Sequence, residues 1–243
     1  MIHTAKRAII LAAGFGQRLR PLTLTVPKPL IKVNGIRMID TIVEALKANG
    51  IDEIYVVVGH LKEKFIEWSR EHNEVSIVEN PFYNTCNNIS SLYVARDHLE
   101  DCFVIDGDQI IFNRNIVDKH FDLSGYNAVW TEEKTAEWLL DVQDGIVRSC
   151  SRTGGINGWQ LYGISRWCRE DGIKLKEFLE IEFIDKRNIG IYWDDIPMFL
   201  YPDKFKIGIT VMNKEDVIEI DNLDELKKID SSYNSAKENR NEE

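Results

Sequence analysis

Three groups of residues in this chain carry recognisable chemistry. The first is Leu11-Ala12-Ala13-Gly14-Phe15-Gly16-Gln17-Arg18, which directly follows the apolar run Ala8 to Ala12. Small residues let a backbone approach a ligand closely, and successive amide N–H groups in such a loop can face an anion. Arg18 and Arg20 can add charge-assisted hydrogen bonds. Leu19 stands where a dinucleotide fingerprint needs its third glycine, and no Gly-Lys-Ser/Thr follows, so neither that fingerprint nor a Walker A loop is present. A plain glycine turn is the competing reading of Gly14-x-Gly16 taken alone. Nearby, however, Pro27-Lys28-Pro29-Leu30 places a lysine between two prolines that fix its backbone, and a charge held that way suits a phosphate.

The second group is acidic. Asp106-Gly107-Asp108 closes an apolar run and offers hard oxygen donors, and Mg²⁺ favours one or two carboxylates plus substrate phosphates. A solvated turn is the alternative, since Asp and Gly favour turns for backbone reasons. In Glu219-Ile220-Asp221, strand alternation would put both acids on one side with Ile220 facing the core, although Asp221 could equally cap a helix beginning at Asn222. The third group, Asn87, Asn88 and Ser90, could hydrogen-bond a base or ribose, or could supply a helix N-cap.

These groups need a scaffold. The runs Ala8 to Ala12, Ile54 to Val58, Val75 to Val78 and Cys102 to Ile105 read as buried strands, alternating with helices over Met38 to Asn49, Lys62 to Glu71 and Ser90 to His98. The expected fold is α/β: a Rossmann-like, mostly parallel sheet flanked by helices, with its ligands at the C-terminal strand ends. Leu139 to Val142 and Ile146 to Cys150 flank Gln143-Asp144-Gly145, a hairpin signal. They predict a small antiparallel insertion over the active site, after which Val217 to Ile220 forms a strand and Asn222 to Ile229 a helix. One domain is expected over 1–230, with 231–243 a polar, frayed tail.

The chain has 243 residues, 44% of them hydrophobic, enough for one such domain. Its net charge of -10 disfavours a nucleic-acid binder, so any phosphate site must be local. The start carries no apolar leader, and the first apolar run is too short to span a bilayer, so no membrane role and a cytoplasmic location are expected. Cys86, Cys102, Cys150 and Cys168 form no CxxC pair, which reads as reduced thiols rather than a zinc site. Homo-oligomerisation is left open.

Leu11-Ala12-Ala13-Gly14-x-Gly16-x-Arg18-Leu19-x-Pro21-Leu22-Thr23 with Pro27-Lys28-Pro29-Leu30 resembles the signature of the nucleoside-triphosphate transferases that make activated sugars and head groups. That resemblance implies Gly14 and Gly16, with Leu11, Ala12 and Ala13, on the nucleotide, Arg18 on the outgoing pyrophosphate, and Lys28 near the α-phosphate. It implies Mg²⁺ held by Asp108 and Asp221, with Asp106 in support at the nucleotide. Within the family the chain is most similar to bacterial cytidylyltransferases that activate phosphocholine. That similarity runs through Asn87-Asn88-x-Ser90-Ser91-Leu92-Tyr93, Val104-Ile105-Asp106-x-Asp108, Glu137-Trp138, Tyr192-Trp193-Asp194 and Glu219-Ile220-Asp221. It implies CTP and a phosphorylated amino-alcohol as partners, with CDP-choline and pyrophosphate as products.

A quaternary ammonium cannot donate a hydrogen bond, so aromatic faces and carboxylates must recognise it. Trp138, Tyr192, Asp194 and Glu219 supply that chemistry, although ordinary core packing accounts for most of the six tryptophans and eight tyrosines. Gln109 follows the second acid where the family often carries asparagine or another polar residue. The alternatives are a cytidylyltransferase for 2-aminoethylphosphonate or phosphoethanolamine, a sugar-1-phosphate nucleotidyltransferase, and a regulator that binds nucleotide without turnover.

Overall fold

The structure, a computed structural model, describes residues 2–234. Its centre is a strand β1 (Arg7–Ala12), five of whose six residues are buried. Helix α1 (Met38–Ala48) buries Met38, Ile39, Ile42, Val43, Ala45 and Leu46, the i, i+3, i+4 stripe of a helix lying on a sheet. The chain then runs through β2 (Glu53–Val58), α2 (Lys62–Ser69), β3 (Val75–Glu79), α3 (Ile89–Val94) and β4 (Cys102–Asp106). Strands β3, β2, β1 and β4 lie side by side and all parallel, as helical crossovers require.

Beyond β4 the sheet changes character. After a short β5 (Gln109–Ile111) come β6 (Gly125–Thr131), β7 (Leu139–Gln143), β8 (Ile146–Ser151) and the long β9 (Gly158–Trp167). Between β4 and β9 no α-helix intervenes, so these strands meet through turns and pair antiparallel: β9 with β4, β6 and β7, and β7 with β8. Strand β10 (Gly208–Val211), reached after α4 (Arg169–Glu180), restores one parallel pairing, with β6. The sheet is therefore mixed rather than mostly parallel. The expected hairpin forms, turning at Asp144 and Gly145 with positive φ, and it joins the main sheet through Leu139 and Leu140 instead of making a separate layer. Arg166, buried on β9, donates to Asn127 of β6 and Thr210 of β10, tying three strands together.

The core has three parts. Ala8, Ile10 and Ala12 point to one face, where α1 and α2 pack through Ile39, Ile42, Leu46, Phe65 and Trp68. Ile9 and Leu11 point to the other, with Leu92, Leu175, Leu179 and Trp193. This alternation is the strand period surviving inside an unbroken apolar run. A smaller third core joins Leu19, Ile31, Met38, Ile110, Ile220 and Leu226, and so fastens the glycine loop to the end of the chain. The strand expected at Val217 to Ile220 forms as β11 (Val217–Glu219), but it pairs with β5 in a separate two-stranded ladder. Helix α5 follows at Leu223–Ile229.

The last turn of α4 widens into a π-type turn over Ile181–Asp185, and a second one spans Ile196–Leu200. Between them runs the irregular segment that carries Tyr192 and Asp194. The helix expected over Ser90 to His98 is shorter at its α core, ending at Val94 before a 3-10 turn at Arg96–His98. Of the tail expected to fray, 231–234 form a further turn in which Tyr233 Oη donates to Lys32 O at 2.7 Å. Residues 235–243 lie outside the described residues. Among the described residues no helix is long and apolar enough to cross a membrane.

Ile10 sits fully buried on the central strand. Ile10→Ala is expected to cost about 2–5 kcal/mol, read from the denaturant midpoint, because packed neighbours on both sides leave the cavity unable to close.

Candidate active site

The glycine loop is pinned by its neighbours. Gly16 has φ +59, and a Cβ there would lie 2.8 Å from Thr23 Cγ2, so glycine is required on both counts. Thr23 Oγ1 donates to Gly16 O at 2.8 Å, and His60 Nε2 bonds Thr23 O at 2.8 Å. Phe15 packs on His60 and Tyr83, with ring centroids 5.2 and 5.3 Å away. Leu19, fully buried, anchors the loop's far end. Pro27 and Pro29 bracket Lys28 at the start of a 3-10 turn (Lys28–Leu30) that carries it inward, leaving it 9% exposed.

Lys28 meets acids from two distant parts of the chain. Its Nζ lies 2.6 Å from Asp108 Oδ2 and 3.3 Å from Asp221 Oδ1, and Arg18 donates to the same Asp221 oxygen at 2.7 Å. The β5–β11 ladder causes this convergence: Glu219 pairs with Gln109, so the chain entering β5 at Asp108 and the chain leaving β11 toward Asp221 run side by side. Asp221 does not cap α5. Asn222 does, accepting from the N–H groups of Asp224 and Glu225, and Asp221 is left facing the cavity.

The electrostatics are lopsided. Burial opposes the charge on Lys28, but Asp108, then Asp221 and Glu219, outweigh it and raise its pKa. Burial pushes Glu219 up to about 8, reinforced by Asp108 and Asp221. Asp106 is driven well above the usual carboxylate range by burial, then by Asp108, Asp194 and Glu219. Carboxylate oxygens of Asp108, Glu219 and Asp221 lie within 4.8 Å of one another, and Asp108 Oδ1 is buried without a hydrogen-bond partner. Hard oxygen donors, crowded negative charge and an unsatisfied lone-pair atom fit a divalent cation such as Mg²⁺.

A cavity of about 400 Å³ opens in front of this cluster. Its walls include Leu11, Ala12, Ala13, Gly14, Gly16, Arg18, Lys28, Asn88, Asp106, Asp108, Tyr192, Glu219 and Asp221. A second cavity, of about 210 Å³, shares Asn88, Asp106, Tyr192 and Glu219 with the first and adds Glu137, Trp138, Leu161, Gly163 and Asp194. Nearly all the residues singled out from sequence thus meet in one bipartite hollow. Three do not reach it. Arg20 is exposed outside both cavities. Asn87 is bound to the 189–190 backbone, donating from its own N–H to Ile189 O and from Nδ2 to Gly190 O. Ser90 is buried, its hydroxyl donating to Asn87 O and accepting from Asn80 Nδ2. Neither reading of Ser90, base contact or cap, describes it: it is a packing bond inside α3.

Ser91, Gln17 and Gly163 line the hollow and were not legible as site residues. Ser91 had a signal: it follows Asn88 by three, which puts both on one helical face once the helix is started at Asn88. Gly163 had none, since its role is steric. A Cβ there would lie 2.2 Å from Asp106 Oδ2, so β9 can pass this acid only as glycine.

The MobA-like NTP transferase domain family matches residues 8–159, from β1 into β9. The chain belongs to that family. It is a nucleotidyltransferase, as the glycine loop and the bracketed lysine implied. It is 35% identical over 230 residues to a 2-aminoethylphosphonate cytidylyltransferase of Lancefieldella rimae, covering 93% of this chain and 92% of that one. It is 34% identical over 233 residues to a choline-phosphate cytidylyltransferase of Streptococcus pneumoniae, covering 92% and 96%. The solved structure of a CTP:phosphocholine cytidylyltransferase from Streptococcus pneumoniae superposes with a TM-score of 0.86 at 31% identity, over 93% of this chain and 98% of that one. The Rossmann-like α/β fold and the resemblance to cytidylyltransferases are thereby borne out. The family match ends before Tyr192, Asp194, Glu219 and Asp221, so the full-length relatives alone span both halves of the hollow.

Two outcomes test this nucleotidyltransferase site. Gly163→Ala is expected to displace the Asp106 carboxyl and, as misplacement by about 1 Å can cost on the order of 10²-fold in rate, to lower kcat steeply while circular dichroism stays native. The second concerns Asp194, which burial pushes up to about 7 against a smaller opposing pull from Tyr126. The folded chain keeps this proton where the unfolded chain, with a carboxyl near ~3.9, has lost it. Stability is therefore lost as pH rises through that window, and the cost is full above about 7. Asp194→Asn should match the wild type near pH 4 and exceed it at pH 8 in chemical denaturation.

Proposed function

We propose that this nucleotidyltransferase transfers the cytidylyl group of CTP to phosphocholine, giving CDP-choline and pyrophosphate. The observation that carries the reading is the second hollow. It opens from the nucleotide side across Asp106 and Tyr192 and ends against Trp138, Tyr192 and Asp194, an aromatic and acidic wall fit for a cation. Trp138 and Tyr192 meet edge to face at 5.9 Å, leaving ring surface turned to the cavity. Glu219 reaches both hollows.

In this reading CTP lies along the glycine loop, with Asn88 and Ser91 at its nucleoside end. An oxygen of the acceptor phosphate attacks the α-phosphorus in line; the new O–P bond forms as the α–β anhydride breaks and pyrophosphate leaves. Lys28 and Arg18 stabilise the charge that builds on the phosphates, and burial makes the contribution of Lys28 the larger per contact. Asp108 and Asp221 would hold Mg²⁺, which when bound supplies charge neutralisation at the phosphates. Asp106 borders both substrates.

A second reading, 2-aminoethylphosphonate as acceptor, is favoured by a specific feature. Glu137, Asp194 and Asp106 line the same hollow, and a primary ammonium can donate hydrogen bonds to carboxylates as a quaternary one cannot. The Lancefieldella rimae relative bears that acceptor in its name.

The test is product formation from CTP, Mg²⁺ and each acceptor in turn. Turnover of phosphocholine above the phosphonate supports the first reading; the reverse order selects the second; turnover only with a sugar 1-phosphate overturns both. Trp138→Ala is expected to raise KM for phosphocholine by about 2- to 30-fold, the span of a cation–π contact, with a smaller effect on the phosphonate. Lys28→Met should lower kcat on the order of 10²-fold while CTP still binds, as measured by calorimetry.

A further inference from the structure

We propose that Arg152 is a specificity-determining positioning residue, which holds the aromatic wall of the acceptor hollow from outside the cavity. The inference rests on the proposed acceptor role of that wall. Arg152 lies just past β8, far in sequence from the segment that carries Tyr192, yet it joins the two. Its guanidinium stacks 3.8 Å from the Phe199 ring centroid and 5.9 Å from that of Trp138. Its NH2 lies 2.6 Å from Asp195 Oδ1, and the other oxygen of Asp195 accepts the Tyr192 N–H at 3.1 Å. Asp195 is only 4% exposed, so this pair is a fixed strut on its side.

Through these contacts one side chain sets both halves of the wall. Trp138 meets Phe199 edge-on at 5.4 Å and 78°, and Tyr192 at 5.9 Å and 83°. Phe199 is thus clamped between the guanidinium and the indole, and Tyr192 is tied by its backbone through Asp195. Removing Arg152 frees the indole to rotate and leaves the Asp195 carboxylate buried with a single donor. Only an acceptor recognised by ring faces depends on that orientation. An acceptor that donates hydrogen bonds to Asp194 and Glu137 depends on it much less.

The guanidinium is half exposed and belongs to no core cluster, so the scaffold should survive its loss. Lysine can keep the charge beside Asp195 but not the planar stack on Phe199.

The experiment compares wild type, Arg152→Ala, Arg152→Lys and Trp138→Ala for KM and kcat with phosphocholine, 2-aminoethylphosphonate and CTP, together with Tm. The expected result for Arg152→Ala is a KM for phosphocholine raised by about 2- to 30-fold, the loss of one cation–π contact, with KM for CTP unchanged and the phosphonate little affected. Arg152→Lys should recover Tm but not the phosphocholine KM. If Arg152→Ala fails to fold, Arg152→Lys and Asp195→Asn carry the same comparison. An acceptor ratio that stays at the wild-type value in the Arg152 variants, while Trp138→Ala shifts it, overturns the role of Arg152 and leaves the function standing. A fall in CTP and both acceptors alike shows a structural role and also overturns it. A ratio unmoved by Trp138→Ala, or a wild type that does not use phosphocholine, overturns the aromatic reading and this inference with it.

Discussion

A single buried lysine holds the two ends of this chain in register. Lys28 sits on the N-terminal side, Asp108 at the end of the fourth strand and Asp221 near the last helix, yet one ammonium contacts both carboxylates. Such a cluster is unfavourable in parts: the acids repel one another, and burial penalises each charge. What makes it viable is the third core, in which Leu19, Ile110 and Ile220 pack side by side directly beneath the charges. Apolar burial there offsets the electrostatic cost, so the charged cluster is carried by residues that merely pack.

The same constraint explains why β5 and β11 stand apart from the main sheet. Had β11 joined the sheet edge, Asp221 would have been carried away from the glycine loop. As a two-stranded ladder it needs only the registration of Glu219 with Gln109 to bring the acids together. The Gln109 side chain is fully buried beside Glu219, where its amide favours the charged form of that carboxyl against the burial that opposes it.

Much of this was legible before the fold was known, and for physical reasons. Gly14, Gly16, Lys28 and the acid pairs announce themselves because backbone demands and formal charge are local properties of a residue. The parallel half of the sheet was equally plain, since buried strands alternate with amphipathic helices there. In the antiparallel half the hairpin signal at Asp144 and Gly145 fixes a turn but not the strand against which it docks. Ser90 and Ser91 are hard to tell apart in the sequence for a similar reason: which of two adjacent hydroxyls faces a cavity depends on where the helix begins, and a one-residue shift rotates each by about 100°. Gly163 and Arg152 could not be found at all from types and spacing. Their significance lies in what stands opposite them, Asp106 in one case and Phe199 with Asp195 in the other.

The sharing of Asp106, Asn88, Tyr192 and Glu219 between the two hollows has an energetic consequence. Among the described residues Lys28 and Arg18 are the cations that meet Asp108 and Asp221, and burial favours the protonated forms of Asp106, Asp194 and Glu219. A triphosphate brings the opposite problem, an excess of negative charge that needs those same cations. In the proposed reaction Lys28 and Arg18 would serve the phosphates only if something positive replaced them at Asp108 and Asp221, as a divalent ion arriving with the nucleotide would. The cationic head of the proposed acceptor would answer the remaining acids on the other side. On that reading each substrate would correct part of a charge imbalance that the other leaves.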